Sequence, residues 1–256
     1  MKISACLITL NEERNLPRCL AGVAPLVDDL LIVDSGSSDG TIDIAVKYGA
    51  RVVRQDWLGY VRQKNFALAN ARHDWVLSID ADEEISPELA ESIARVKADP
   101  ASESPNAPNG YQVSRLVYYR DRWIRHGDWY PDRLVRLFRR DQARFSGGHV
   151  HEKLELPGEH PILAGPLRHF TYEDADDRAE RCARYARLWA QTAHEEHRNA
   201  GLLSGPLHGL ARFVKGFIFK RGFLDGAVGW DIAVGNAREA WLKYELLRQL
   251  NRERNP

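Results

Sequence analysis

The sequence predicts an α/β protein with a mostly parallel central sheet flanked by helices, and with a helical extension at its C-terminus. Short, continuously apolar runs alternate with amphipathic stretches over the first hundred residues, and acidic residues directly follow two of these runs. From Asp174 onward the pattern is helical. Apolar strands separated by helices are typical of βαβ units, in which helices cover both faces of a parallel sheet.

The first hundred residues contain four predicted strands and four predicted helices. The strands are 3–10, 30–34, 51–55 and 75–79, and the helices are 16–26, 41–48, 60–69 and 87–98. A Ser-Ser-Asp cluster ahead of Thr41 favours a helix N-terminus, and Pro87 suits a first helical turn. This order of elements indicates a doubly covered, largely parallel sheet.

The rest of the chain changes character twice. Residues 99–109 are rich in Pro, Ser and Ala and predict a surface loop, after which strands are expected at 110–119, 134–139 and near 149–156. Helices are expected at 174–196, about 207–219 and 226–250. We therefore predict a domain of residues 1–172, with halves at 1–100 and 110–172, followed by a helical extension of residues 173–256.

Composition excludes several classes of protein. Charged residues make up 28% of the chain and apolar ones 44%, which excludes a disordered protein. The 36 basic and 36 acidic residues balance, so the net charge identifies no partner. The three cysteines show no metal-ligand spacing, and no run of about 18 apolar residues could span a bilayer. We expect a cytoplasmic protein without a signal peptide.

Two carboxylates, Asp80 and Asp82, stand at the end of the fourth predicted strand. The carboxyl edge of a parallel sheet is where open α/β folds bind ligands. Carboxylates one residue apart suit a hard cation such as Mg²⁺ or Mn²⁺ that is shared with phosphate oxygens. The alternative is a solvated acidic loop that caps the helix at Pro87.

Asp34 ends the second predicted strand before a Gly/Ser turn, where a carboxylate can accept hydrogen bonds from a nucleoside base or sugar. The alternative role is that of a turn acid that caps the next helix. Four arginines, at positions 133, 136, 139 and 140, place positive charge on both faces of one short strand. Arg136 is our candidate for binding phosphate, although ordinary ion pairing would explain at least two of the four.

Four motifs in the first hundred residues carry a family resemblance. They are ITLNEERNL from Ile8, VDSGSSDGT from Val33, QKN from Gln63 and WVLSIDADE from Trp75. Together they resemble family-2 glycosyltransferases of the GT-A fold. The resemblance implies that residues 1–100 bind a nucleotide sugar and that 110–172 form the acceptor half. It also implies transfer with inversion at the anomeric carbon, in one in-line displacement.

The resemblance assigns roles to individual residues. Thr9, Asn11 and Glu12 would line the nucleoside pocket, and Asp34 would hold the uracil or ribose. Lys64 would lie beside the nucleotide. Asp80 and Asp82 would serve the divalent metal and the diphosphate, and His169 resembles a histidine that many GT-A enzymes supply as a further metal ligand. A lone histidine is more often structural.

Three later segments narrow the resemblance. They are WYPDRLVRLFR from Trp129, FSGGHVHE from Phe145 and FKRGFLDG from Phe219. They resemble the lipopolysaccharide inner-core β-1,4-glucosyltransferases of the WaaE/KdtX type, which implies UDP-glucose as the donor and an inner-core heptose as the acceptor. An inverting transferase needs a base for the attacking hydroxyl. Glu152 is our candidate, with Asp132 in reserve.

Residues 207–219 predict a basic amphipathic helix, with Leu207, Leu210, Val214 and Phe217 on one face. Such a helix suits an anionic membrane, here the inner face of the cytoplasmic membrane, or it packs on the rest of the protein. Two other functions stay open. The acceptor could be a peptide side chain or an exopolysaccharide lipid intermediate, or the chain could be a non-catalytic sugar-nucleotide-binding module.

Overall fold

The structure, a computed structural model, describes residues 1–104, 106–147, 152–172 and 174–254. Its strands are β1 (Ile3–Thr9), β2 (Asp29–Asp34), β3 (Arg51–Arg54), β4 (Trp75–Ser78), β5 (Glu83–Ile85), β6 (Gly110–Tyr119), β7 (Arg122–Trp123), β8 (Asp132–Arg139), β9 (Arg144–Gly147), β10 (Glu152–Glu155) and β11 (Ile162–His169). Its α-helices are α1 (Leu16–Val23), α2 (Thr41–Lys47), α3 (Tyr60–Asn70), α4 (Pro87–Ala98), α5 (Ala175–Glu195), α6 (Ser204–Phe213) and α7 (Gly226–Arg254). A π-helical segment, Val214–Phe219, continues α6.

The chain divides into two compact units. The first unit contains Met1–Arg115 and Asp132–His169, and the second contains Leu116–Pro131 and Phe170–Pro256. The second unit thus includes a segment from the middle of the chain as well as the C-terminal helices. Our division between residues 172 and 173 stays a prediction.

The sheet of the first unit is parallel on one side and antiparallel on the other. Its strand order is β3-β2-β1-β4-β8-β6-β11-β5. The first four strands pair in parallel, whereas β8 runs antiparallel to both β4 and β6, and β5 runs antiparallel to β11. The strands β9 and β10 form a separate antiparallel pair. The parallel pairs among β1, β2, β3 and β4 lie where helices connect the strands.

Apolar side chains from both sides of this sheet form the core of the first unit. Leu7, Ile32 and Leu77 come from adjacent parallel strands and pack with Leu16 and Leu20 of α1. All six residues of β2 are buried, including the two aspartates at its ends. A strand that is buried on both faces reads as a continuous apolar run, which is why β1, β2 and β4 were predictable.

One glycine fixes where β11 passes the first turn of α4. Gly165 has φ +91°, and a Cβ at this position would lie 2.3 Å from the Leu89 nitrogen. Only glycine tolerates both the left-handed backbone and this approach. Ser86 caps the same helix end, because its hydroxyl accepts a hydrogen bond from the Leu89 N–H at 3.2 Å. The end of β11 is thereby held beside β5.

In the second unit, α6 packs on α7 through glycines. A Cβ at Gly205 would lie 2.5 Å from Trp241 Cδ1, and one at Gly209 would lie 3.0 Å from the Ala237 oxygen. The helix therefore lies against α7 with its glycine side, and Leu207 and Leu210 are exposed. In the described part of the chain, every helix is too short or too polar to cross a membrane.

Candidate active site

A tight turn after β4 presents Asp80 and Asp82. The Ile79 N–H donates to the Cys6 oxygen and so continues the pairing with β1 by one residue. The chain then reverses, because the Glu83 N–H donates to the Asp80 oxygen at 3.0 Å and the Asp80 N–H donates to Glu83 Oε2 at 3.0 Å. The turn leaves both aspartate side chains partly accessible, at the carboxyl end of the parallel strands.

The Asp80 carboxylate lies between two cations. Its Oδ2 is 2.8 Å from a terminal nitrogen of Arg136, and its Oδ1 is 3.2 Å from Lys64 Nζ. Burial alone would raise the pKa of Asp80, but the charges of Arg136 and Lys64 outweigh it and hold the pKa well below its usual range. The Asp80 carboxyl group is therefore ionised at neutral pH.

Lys64 connects this carboxylate to Glu152. Its Nζ lies 3.0 Å from Glu152 Oε1, and the side chain is buried against the Phe145 ring. Burial lowers the pKa of Lys64, but the negative charges of Asp80 and Glu152 raise it above its ordinary value. The protonated ammonium group of Lys64 therefore bridges the Asp80 and Glu152 carboxylates and offsets the repulsion between them.

The network continues from Asp80 to Asp132. Arg136 contacts Glu83 Oε1 at 2.5 Å, Arg115 approaches the same oxygen at 3.6 Å, and Arg115 contacts Asp132 Oδ2 at 2.6 Å. Alternating charges thus link both candidate bases to Asp80. One cation separates Glu152 from Asp80, whereas two arginines and Glu83 separate Asp132 from it. Glu152 is the more direct neighbour.

Asp82 pairs with His169. The Nε2 of His169, at the end of β11, lies 3.2 Å from Asp82 Oδ2, and β11 pairs with β5 so that His169 is opposite Glu83. Neighbouring ligands of an octahedral cation, each at about 2.1 Å, lie about 3 Å apart, so this pair fits two adjacent ligand positions. Among the described residues, no three His, Cys, Asp or Glu side chains form such a group. A cation here would take its remaining ligands from phosphate and water.

Asp34 organises the loop after β2. Its carboxylate accepts hydrogen bonds from the Gly36 and Ser37 N–H groups and from the hydroxyls of Ser37 and Thr9, at 2.5–2.9 Å. Burial raises the pKa of Asp34, but these hydrogen bonds lower it more, so that the net shift is downward. Because the carboxylate is fully buried, its present partners would have to rearrange before it could contact a nucleoside.

Asn11 and Glu12 join the loop after β1 to the loop after β2. Asn11 has φ +56°, its Oδ1 accepts from the Ser38 N–H, and the Glu12 N–H donates to Thr41 Oγ1. Burial raises the pKa of Glu12, and the negative charges of Asp82, Asp39 and Asp80 add to the rise. The Glu12 carboxyl group therefore lies close enough to the Asp80–Asp82 turn for their charges to interact. The loops after β1 and β2 thus border the same edge of the sheet as this turn.

All of the residues that the sequence singled out for a site lie in the first unit. Lys64, Asp80, Arg136 and Glu152 form one network, Asp82 meets His169, and Thr9 meets Asp34. Sequence reasoning missed Glu83, which is fully buried and contacts both Arg136 and the Asp80 N–H. In the sequence Glu83 belongs to an acidic run that looks solvated, and no local signal marks it as buried.

Comparison with known proteins finds one matching family and several similar proteins. Residues 4–153 match the model of the family described as Glycosyl transferase family 2. An uncharacterized glycosyltransferase of Rickettsia typhi is 29% identical over 259 residues, which cover 98% of this chain and 88% of the relative. The lipopolysaccharide core biosynthesis glycosyltransferase LpsC of Rhizobium meliloti is 26% identical over 265 residues, which cover 98% of this chain and 96% of LpsC.

A solved structure is similar over a shorter stretch. It is the glucosyl-3-phosphoglycerate synthase from Mycobacterium tuberculosis, in complex with Mn²⁺, UDP and glucosyl-3-phosphoglycerate. The two proteins are 27% identical, the match covers 46% of this chain and 44% of that chain, and the TM-score is 0.36. Because the TM-score is low, the metal and the nucleotide bound in that structure are attributed to the synthase alone.

Proposed function

The chain belongs to glycosyl transferase family 2, and from this premise we propose that it transfers glucose from UDP-glucose to an inner-core heptose of lipopolysaccharide. One observation carries the proposal, namely that Lys64 joins Asp80 at the sheet edge to Glu152. One carboxylate of the proposed metal and diphosphate site, Asp80, and a candidate base thereby occur in one network. The similarity to LpsC, whose name describes lipopolysaccharide core biosynthesis, supports this choice of acceptor.

The donor would lie along the edge formed by the loops after β1 and β2 and by the turn after β4. Thr9, Asn11, Glu12 and Asp34 are proposed to contact the nucleoside. Lys64 and Arg136 would face the diphosphate, because an ammonium group and a guanidinium group both pair well with phosphate oxygens.

A divalent cation is proposed at Asp82 and His169, with Asp80 beside it. Mg²⁺ and Mn²⁺ are bound in this way by one or two carboxylates together with the phosphates of the substrate. Bound there, the cation would neutralise the negative charge that grows on the departing diphosphate. The separation of Asp82 Oδ2 and His169 Nε2 supports this proposal.

Transfer is proposed as a single displacement with inversion. The acceptor oxygen forms a bond to the anomeric carbon while the bond from that carbon to the diphosphate oxygen breaks, and UDP leaves with the electron pair. Glu152 takes the proton of the attacking hydroxyl. Lys64 holds Glu152 beside Asp80, so that the base stays near the bond that breaks. Asp132 is the reserve base.

An assay of UDP release tests the proposal. The purified protein with UDP-glucose and Mn²⁺ should release UDP only when an inner-core heptose oligosaccharide is added. The Asp82→Asn variant should lose at least 100-fold in turnover while it keeps the circular dichroism spectrum of the wild type. If UDP were released with a peptide or an exopolysaccharide lipid intermediate and not with the heptose oligosaccharide, the proposed acceptor would be wrong. Binding of UDP without turnover on any acceptor would favour the non-catalytic module.

A further inference from the structure

The second unit exposes a group of large apolar side chains that we call the apolar face. It consists of Leu207, Leu210, Ile218, Phe219, Phe223 and Trp230. Leu207 is 60% exposed, Leu210 is 62% exposed and Phe219 is 78% exposed. Single exposed apolar residues are common on soluble proteins, but six large ones within residues 207–230 indicate an interaction surface.

The packing of α6 explains why this face is exposed. If α6 used its leucines to pack on the body, Leu207 and Leu210 would be buried. The helix instead turns Gly205 and Gly209 toward α7, where Trp241 and Ala237 fill the space that a side chain would need. The packing requirement of α6 is therefore met by glycines, and its leucines remain for another surface.

Ring contacts join two members of the apolar face, Phe223 and Trp230, through Phe217. Phe213 stacks on Phe217 at 5.2 Å between ring centroids, and both rings meet Trp230, at 5.2 and 5.4 Å. Phe217 also lies 6.2 Å from Phe223. The π-helical segment, the turn after it and the start of α7 thus contribute to one aromatic cluster, of which Phe223 and Trp230 remain about half exposed.

The same segment is basic. Residues 202–224 contain no Asp or Glu and include Arg212, Lys215, Lys220 and Arg221. Arg212 Nε and Lys220 Nζ both reach the buried carboxylate of Asp128, at 3.0 and 3.2 Å. One carboxylate offsets only one of these two charges, so positive charge remains beside the apolar face.

We propose that the apolar face docks on the surface of a membrane rich in anionic lipid. Exposed Phe, Trp and Leu side chains next to basic residues match the acyl boundary and the anionic headgroups of such a surface. An apolar face that paired with a second copy of the chain would bring its positive charges together without an acidic partner. The proposal concerns the second unit and is independent of the sugar chemistry in the first.

Vesicle flotation tests the proposal. The full chain should bind vesicles of phosphatidylcholine with about 30% phosphatidylglycerol at least tenfold more tightly than pure phosphatidylcholine. The double variant Leu210→Asn, Phe219→Asn should lose at least tenfold in binding, because each side chain loses its transfer into the bilayer. The double variant Lys215→Gln, Arg221→Gln should lose most of the preference for anionic lipid. Val46→Asn with Ile162→Asn, at exposed apolar sites of the first unit, should bind like the wild type.

Two results would overturn the docking proposal. One is equal vesicle binding by the wild type and the Leu210, Phe219 variant when their circular dichroism spectra agree. The other is a wild-type dimer in sedimentation equilibrium that this variant converts to a monomer, since a second copy would then cover the apolar face. Release of UDP with a water-soluble acceptor should be unchanged in the variant, which separates this test from that of the glycosyl transfer.

Discussion

At the scale of single residues, Lys64 is the side chain on which the candidate site depends, because it holds Asp80 and Glu152 together. Two carboxylates this close to one ammonium group would repel each other without it. Arg136 and Glu83 continue the alternation of charge, so each member of the network contacts a neighbour of opposite sign.

Replacement of Lys64 by methionine removes the charge and keeps most of the volume. Turnover should fall by about 100-fold or more, since a preorganised charge beside the diphosphate contributes about 3 kcal/mol to catalysis. Steady-state kinetics of UDP release measures the effect. Arg62→Met, an exposed cation on the same helix, is the control and should leave turnover within twofold. A similar loss in both variants would contradict the assigned role of Lys64.

Glu152→Gln removes the proposed proton acceptor without a change of shape. Turnover should fall by about 10²- to 10⁴-fold. The affinity for UDP, measured by calorimetry, should stay within about twofold, because the base acts on the acceptor. Glu155→Gln on the same strand is the matched control. If Asp132→Asn abolished turnover while Glu152→Gln kept it, the reserve base would be the true one.

Asp34 should make folding stability depend on pH. Its pKa is lowered in the folded state, so it contributes stability above its unfolded pKa, and this contribution is lost as pH falls through the folded value. Asp34→Asn should cost about 1–3 kcal/mol at pH 7, and the difference from the wild type should shrink below about pH 4. Urea unfolding at both pH values measures it. A pH-independent difference would contradict the ionised role.

At the scale of elements, two glycines with similar φ angles allow the cost of a strained backbone to be separated from the cost of a steric clash. Gly165→Ala should destabilise the protein by about 3 kcal/mol or more, because its Cβ would meet the Leu89 nitrogen at 2.3 Å. Gly158→Ala, with φ +97° and nothing within 4 Å, should cost only about 1–2 kcal/mol. Thermal unfolding compares them, and equal costs would show that β11 can move away from α4.

The elements of the parallel half were predictable, and several of the others were not. The strands β1, β2 and β4 are continuous apolar runs, and Pro87 marks the start of α4. The strand β5 has three residues and two are acidic, whereas β11 contains a Gly-Pro pair that argues against a strand. Neither β5 nor β11 shows a local strand pattern in the sequence, because each is stabilised by pairing with the other over a long sequence separation.

Part of the candidate site could likewise be predicted from the sequence, and part could not. The motif residues Asp34, Lys64, Asp80 and Asp82 could be proposed from the sequence because they follow predicted strands or belong to the family motifs. The burial of Glu83 and its contact with Arg136 bring together strands that are about fifty residues apart, which no local spacing encodes. The first residues of the strand expected near 149–156 lie outside the described residues.

At the scale of the whole molecule, the C-terminal helices complete a unit that also contains the segment Leu116–Pro131. Tyr119 and Ile124 of this segment pack with Ile232, and Trp129 and Tyr172 add to the same cluster. The segment therefore depends on α7 for its core, although more than 100 positions separate Ile124 from Ile232 in the sequence.

Removal of residues 173–256 should therefore yield an aggregating protein, because Tyr119, Ile124 and Trp129 would lose their apolar partners. Size-exclusion chromatography after expression measures the outcome. A short deletion of residues 253–256 is the control and should remain monodisperse. A soluble, folded fragment of residues 1–172 would instead support a domain boundary at residue 172.

The most direct test of the central claim is a crystal structure of the protein with UDP and Mn²⁺, in which anomalous scattering locates the manganese. We expect the ion between Asp82 Oδ2 and His169 Nε2, with the diphosphate beside Lys64 and Arg136. Manganese and UDP bound elsewhere, with the side-chain contacts of Asp80 and Asp82 unchanged, would contradict the assignment of this sheet edge as the donor site.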